Sequence, residues 1–375
     1  MKYRELGKTN KQVSIIGLGL EFLDFKPYEQ VKETLDVALE NGVNILDVFM
    51  PGTEVRQNIA KALGKRRDKV LIQGHIGSTN VEKQYDISRD IPTVKKFFEE
   101  LLRLYGYIDF GMMFFIDSEE DYKNVFETDF ATYVDKLKRD GDIHHIGFSS
   151  HNPATAIKAI NTGLPEMMMF SINPIFDMLP FDQYVFDDFD SDAFRGIDPK
   201  RAELYKLCAQ KQIGITVMKS LGGGKLLSPE HTPFTKPMTA AQCIHYALTR
   251  PAVACVLPGC KTDAEMREVL GYLSASSEDR DYAEVISDMR NDFAGNCVYC
   301  NHCQPCPVEI EIATVTKYLD IARLDKDNVP PSIRSHYSDL ARKGHDCTGC
   351  GSCEARCPFG VKIMENMAEA DVLMG

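Results

Sequence analysis

Residues 27–49 read PYEQVKETLDVALENGVNILDVF. Two hydrophobic periods meet in this stretch. From Pro27 to Leu39 the apolar residues Val31, Leu35, Ala38 and Leu39 recur at helical spacing, and Asn41-Gly42 supplies the stop. Asn44–Phe49 is then a short apolar run of strand type, interrupted by Asp47. Working outward, the same beat repeats to about residue 275. Strand-like runs stand at Ile15–Leu20, Lys69–Ile76, Tyr107–Ile116, His144–Ser149, Glu166–Ile172, Ile215–Met218 and Val253–Leu257. Helical stretches lie at Pro92–Tyr105, Phe130–Arg139, Pro153–Ile160 and Pro199–Ala209, punctuated by Gly42, Gly106, Gly141, Gly163 and Gly214. Alternating strands and helices make a parallel sheet, and eight such units predict an α/β fold of the (β/α)8 TIM-barrel type. An open doubly wound sheet is the second choice, but Gly17-Leu18-Gly19 breaks off at Leu20-Glu21-Phe22 without completing a dinucleotide fingerprint.

The chain has 375 residues, 43 basic and 55 acidic, for a formal charge of −12. That length predicts about two domains. The acidity gives a nucleic-acid partner no electrostatic footprint. No apolar run approaches the roughly 20 residues of a membrane span, and the opening residues lead into no signal-peptide core, so the expected location is cytoplasmic. Two connections exceed what a barrel needs. Asp177–Asp198 interleaves aromatics with aspartates and reads as a lid over the mouth, with Phe181–Phe194 at its centre. Leu221–Thr239 contains Gly222, Gly223, Gly224 and Lys225, which with Lys261 follow the last two strands, where barrels bind phosphate; these five are the expected cofactor contacts.

Cysteine carries the strongest signal. Of 12 cysteines, eight follow residue 296. Cys297-x2-Cys300-x2-Cys303-x2-Cys306-Pro307 is followed by Cys347-x2-Cys350-x2-Cys353-x3-Cys357-Pro358. Three closely spaced thiolates seat one corner of a cubane, and the fourth, beside proline, reaches the neighbouring cluster in two-cluster ferredoxins. This spacing predicts two 4Fe-4S clusters, one on Cys297, Cys300, Cys303 and Cys357, the other on Cys347, Cys350, Cys353 and Cys306. The first run has x2 rather than x3 before its fourth cysteine. Disulfides need an oxidising compartment, and structural zinc sites use spaced pairs rather than four cysteines in a row. The remaining Cys208, Cys243, Cys255 and Cys260 are expected as small core residues, with Cys260 set apart by its place after a strand. The expected domains are therefore a barrel over 1–275 and a mainly helical, ferredoxin-like iron-sulfur domain over 276–375.

Tyr3-Arg4-Glu5-Leu6-Gly7-Lys8-Thr9, Gly42-Val43-Asn44-Ile45-Leu46-Asp47, Glu54 with Ile59-Ala60-Lys61-Ala62-Leu63-Gly64, His145-Ile146-Gly147-Phe148-Ser149 and Leu257-Pro258-Gly259 together resemble the aldo/keto reductases. The whole chain is similar to family members that carry a C-terminal dicluster ferredoxin domain. The resemblance implies carbonyl reduction with NADP(H) by an Asp–Tyr–Lys–His tetrad. Asp47 matches the aspartate, but Gly52 stands at the tyrosine, His75 at the lysine and Phe114 at the histidine. The family's cofactor contacts are altered too: Ser149-Ser150 replaces a Ser-Asn pair, Met169 or Phe170 a glutamine, and Val269 follows Glu268 in place of an asparagine.

Six polar residues, Asp47, His75, Asp117, His151, Asn173 and Lys219, fall at strand ends and are expected to converge on one pocket. Asp47, His75 and Lys219 are the catalytic candidates. His75 beside Asp47 reads either as a general acid or as a remnant buried hydrogen-bonded pair. His151 reads as a loop or helix-capping residue. Lys219, at a buried-looking strand end, reads as functional, because lysine is rarely buried without a partner. The whole predicts an oxidoreductase whose two clusters relay electrons between an external ferredoxin- or flavodoxin-type carrier and a small-molecule substrate at the barrel mouth, with NADP(H) or a flavin as the further cofactor. The alternative is a non-catalytic electron-transfer or redox-sensing subunit whose barrel is a docking scaffold.

Overall fold

The computed structural model of the full chain describes residues 1–79, 85–177, 198–232, 234–282, 285, 295, 297, 303–323, 326–329, 331–357 and 360–375. The chain divides into two compact units. One comprises Met1–Asn173, Pro199–Gly222 and Thr239–Tyr282; the other comprises Pro174–Asp198, Gly223–Met238 and Ala283–Gly375.

The first unit holds eight parallel strands, one at each apolar run, with two reaching past the predicted bounds at Ile143, Ser150 and Gly214. They are β1 (Leu18–Gly19), β2 (Ile45–Val48), β3 (Leu71–Ile76), β4 (Ile108–Met113), β5 (Ile143–Ser150), β6 (Met167–Ser171), β7 (Gly214–Met218) and β8 (Val253–Val256). Each pairs with its sequence neighbour, from β1 to β8. Parallel bridges Ile16–Val256 and Gly19–Gly259 close the sheet into a barrel. Because β2 pairs Asp47 with Gln73, two polar residues of neighbouring strands come to the same level.

Helices return the chain between strands, and their ends follow ordinary capping chemistry. Asp90 accepts from Thr93 N–H at 3.0 Å to open Ile91–Tyr105, and Ser118 and Asp121 form a capping box for Glu119–Phe126. Asn152 caps Pro153–Asn161. Met112, Met113 and Met167–Met169 are all buried core residues. The patterning did not flag an antiparallel hairpin, Tyr3–Glu5 with Gln12–Ser14, ahead of the barrel. Its Arg4 donates to the Leu248 carbonyl at 3.0 Å and the Val253 carbonyl at 2.9 Å, which fixes it at the end where the strands begin.

The second unit is mainly helical among the described residues, with Ile312–Ala322, Pro331–Asp339, Ser352–Arg356 and Ile363–Met374. Val315, Leu319, Tyr337, Ile363, Met367 and Ala370 form its core, with Cys303 and Cys353 packed into the same cluster. Arg323 ties the first and last of these helices, donating to Asn366 at 2.8 Å and pairing with Glu369. No helix among the described residues is long and apolar enough to cross a membrane. The proposed lid falls almost wholly on 178–197, outside the described residues.

Candidate functional site

Inside the barrel, alternation along β3 turns Gln73 and His75 to one face. His75 Nε2 donates to Asp47 Oδ1 at 2.8 Å, and Gln73 Nε2 donates to the same oxygen at 2.7 Å. Gln73 Oε1 in turn accepts from Thr216 Oγ at 3.0 Å, and its amide also reaches Met169 Sδ at 3.2 Å. Asp47 and His75 are 2% and 3% exposed, so this is a buried polar network in which each member orients the next. With Nε2 committed to Asp47, His75 Nδ1 is the free valence. It is closed to solvent and has no hydrogen-bond partner among the described residues.

Aromatic rings cover the histidine. Phe114 meets it edge-on at 5.3 Å and Phe49 at 6.0 Å, and Tyr85 packs on both phenylalanines at 5.3 and 5.6 Å. The row continues through Phe115 to His151, at 6.0 and 5.5 Å. His151 forms a second pair with Asp117, Nδ1 to Oδ2 at 2.8 Å, while its backbone N–H donates to Oδ1 at 2.6 Å. The helix cap at this point is Asn152, not His151.

The six strand-end residues therefore form distinct groups rather than one converging set: Asp47 with His75, Asp117 with His151, and Asn173 with Lys219. Lys219 corrects an expectation. It is exposed, its backbone is left-handed (φ 62°), and its carbonyl, not its ammonium, is engaged, accepting from Asn173 Nδ2 at 2.8 Å. The strand ends one residue earlier, at Met218, and the chain turns outward there. Ser220, next along, is buried with an unpartnered hydroxyl.

The proposed phosphate contacts also separate. Gly222, Gly223 and Gly224 have φ of 60°, 68° and 91°, a left-handed run that side chains resist, and Gly222 N–H is already spent on the Lys219 carbonyl at 2.9 Å. Lys225 belongs to the second unit, where it pairs with Asp320 at 3.3 Å; burial lowers its pKa, with Asp320 opposing. Lys261 is exposed, its ammonium 5.5 Å from the Phe22 ring centre and its backbone N–H held by Glu265 at 2.6 Å. Ser149 and Ser150 are committed internally: Ser149 Oγ accepts from Phe115 N–H at 2.8 Å, and Ser150 Oγ donates to the Ile116 carbonyl at 2.7 Å. Cys208, Cys243, Cys255 and Cys260 are fully buried, and burial raises all four thiols, Cys260 to about 12.

In the second unit, Cys306, Cys347, Cys350 and Cys353 line one pocket whose remaining walls are largely apolar, among them Ile310, Ile312, Ile363 and Met367. Gly349 and Gly351, at φ 67° and 71°, let the second cysteine run wrap around it. The Ser352 backbone N–H holds the Cys350 thiol below its usual range, whereas burial raises Cys353. Arg356 joins the two runs, donating through Nη2 to the Cys303 carbonyl at 2.8 Å and the Pro305 carbonyl at 2.5 Å. Among the described residues no three His, Cys, Asp or Glu side chains stand close enough to share a single metal ion. Cys300 lies outside the described residues.

Residues 15–242 match the Aldo/keto reductase family. The chain belongs to the aldo/keto reductase family. Solved structures agree in fold. An aldo-keto reductase from Bacillus halodurans in its holo form superposes with a TM-score of 0.59 at 19% identity, covering 77% of this chain and 96% of that one. An aldo-keto reductase from Pseudomonas aeruginosa gives 0.56 at 16% identity, covering 72% and 95%. The chain is an aldo/keto reductase superfamily oxidoreductase, and the barrel pairs Asp47 and His75, two of the positions that the resemblance assigns to the tetrad. Gly52 is the N-cap of Thr53–Leu63, with no side chain to offer a proton. Phe114 packs on His75 instead of donating to a substrate.

Gln73 and Thr216 were not singled out from sequence, although Gln73 and His75 two apart in an apolar strand were a readable sign of a polar barrel interior. Arg356 carried no sequence signal beyond standing one residue before a cysteine.

Proposed function

We propose that this aldo/keto reductase relative is a one-electron redox protein, with two 4Fe-4S clusters on its two cysteine runs serving a reaction centre at the barrel mouth. The observation that carries the reading is the shared pocket. Cys306 comes from the first run and Cys347, Cys350 and Cys353 from the second, the interleaving that two-cluster ferredoxins use. The donor set fits such a cluster: four thiols, apolar walls, and a backbone N–H directed at one sulfur. Bound there, a cluster supplies single-electron steps. A simple hydride transfer to a carbonyl needs no such relay, and this chain lacks the tyrosine that would complete one.

At the mouth, the work of the protein's own residues is proton handling. Asp47 holds His75 by Nε2, and Gln73 and Thr216 hold Asp47, so Nδ1 is fixed as the exchangeable position. The partner of Nδ1 in this reading is a small-molecule substrate or a nicotinamide or flavin ring; the unpartnered buried Nδ1 of His75 supports a polar ligand there. The electron donor or acceptor is an external carrier of the ferredoxin or flavodoxin class.

The test is ligand binding to full-length, anaerobically reconstituted protein, titrated separately with NADPH and with FMN. Saturable binding of either that weakens in His75→Ala supports the mouth as reaction site. Binding of neither, with cluster content intact, favours the alternative in which the barrel is a docking scaffold.

A further inference from the structure

The barrel unit has a pocket at the end where its strands begin. The N-terminal hairpin and the segment after Asp263–Leu270 enclose about 400 Å³, a volume in the range of small-ligand sites. Lys2, Tyr3, Arg4, Ile15, Tyr272 and Arg280 line it. Lys2 and Arg4 are two apart, so strand alternation turns both to one side of the hairpin, and Glu5 to the other. Arg280 enters from the opposite wall with its guanidinium 4.7 Å above the Tyr272 ring.

These three cations are not neutralised. Arg4 and Arg280 donate only to backbone carbonyls, Arg4 to Leu248 and Val253, and Arg280 to Tyr272 at 3.0 Å. None of the three has an ion-pair partner among the described residues. Of the acidic neighbours, Asp279 is turned back onto the Ser276 N–H at 3.0 Å, whereas Asp281 opposes Arg280 and Arg4 at His245. Arg280 Nε is moreover closed to solvent with no hydrogen-bond partner, which leaves a charged donor unsatisfied. The excess positive field reaches His245, which hydrogen-bonds the Tyr272 hydroxyl at 3.1 Å. Burial lowers its pKa first, and Arg280 and Arg4 lower it further. Three unpaired cations around one pocket on a protein of net charge −12 are a local inversion of the surface field.

We propose that this pocket is a binding site for a small multivalent oxyanion of the phosphate class, separate from the barrel mouth. The anion would neutralise Lys2, Arg4 and Arg280, with Tyr272 beneath the Arg280 guanidinium.

Isothermal titration of the full-length protein with inorganic pyrophosphate, at constant ionic strength, tests the assignment. One saturable site is expected. Arg280→Met should weaken binding roughly tenfold, the value of one charge-assisted hydrogen bond. Lys2→Met, which removes a side chain with no hydrogen bond within the fold, should also weaken it without lowering the melting temperature. Absence of saturable binding overturns the proposal, and so does pyrophosphate binding that both variants leave unchanged, since the anion would then sit elsewhere.

Discussion

His75 Nε2 stands 2.8 Å from Asp47 Oδ1, and the other ring nitrogen, Nδ1, is buried without a partner. The carboxylate thereby fixes the tautomer, with the proton on Nε2 and the lone pair or second proton on Nδ1.

Asp47→Asn replaces an acceptor that takes two hydrogen bonds with an amide that presents a competing NH2 group to the same donors. Because the site is almost fully buried, we expect a loss of about 1–3 kcal/mol in urea-induced unfolding. An unchanged midpoint would mean that the network carries no weight in the barrel.

The tetrad substitutions set an expectation for ordinary family chemistry. Gly52 has no side chain, and Phe114 offers neither donor nor charge. Purified protein should oxidise NADPH in the presence of generic aldehydes no faster than a no-enzyme control, as followed by nicotinamide absorbance. Brisk turnover that survives His75→Ala would show that another residue supplies the proton.

Phe114 closes His75 off, its ring centre 5.3 Å away. Phe114→Ala should open the histidine to diethylpyrocarbonate, raising its modification rate severalfold, and cost about 3–5 kcal/mol as a large-to-small change. Equal modification of both proteins would place the barrier elsewhere.

The barrel was readable because its information is local: each apolar run such as Asn44–Phe49 and each proline-to-glycine helix such as Pro27–Gly42 repeats one pattern. For the second unit, only the end of the strand pattern near residue 275 was legible in this way; its helical character was expected from the resemblance. What the sequence withheld depends on contacts distant along the chain. Lys219 stands in an apolar context, yet its φ of 62° turns the side chain outward. Lys225 follows a barrel strand but pairs with Asp320, almost a hundred residues on, and no periodicity announces such a partner. The chain from Gln73 to Thr216 spans 143 residues and appears only once the barrel closes.

Glu166 provides a pH-dependent test of the barrel. Burial pushes its pKa up, but hydrogen bonds from His145 at 3.0 Å and Lys138 at 2.6 Å override this and hold it down at about 2. The folded value lies below the unfolded one of 4.5, so the stabilisation is complete above that pH and is lost as pH falls toward 2. Glu166→Gln should therefore lower stability by about 2 kcal/mol at neutral pH and flatten this part of the acid-unfolding profile. A variant that keeps the wild-type acid limb would show that the pairing contributes nothing.

The central claim is that the two cysteine runs hold two cubane clusters, the pocket formed by Cys306 with Cys347, Cys350 and Cys353 accepting one of them. Iron and acid-labile sulfide should be assayed per chain after anaerobic reconstitution and removal of unbound metal. About eight irons and eight sulfides are expected, falling by roughly half in Cys350→Ser. Zinc bound without sulfide, or iron and sulfide that do not change when Cys350 is removed, would contradict it.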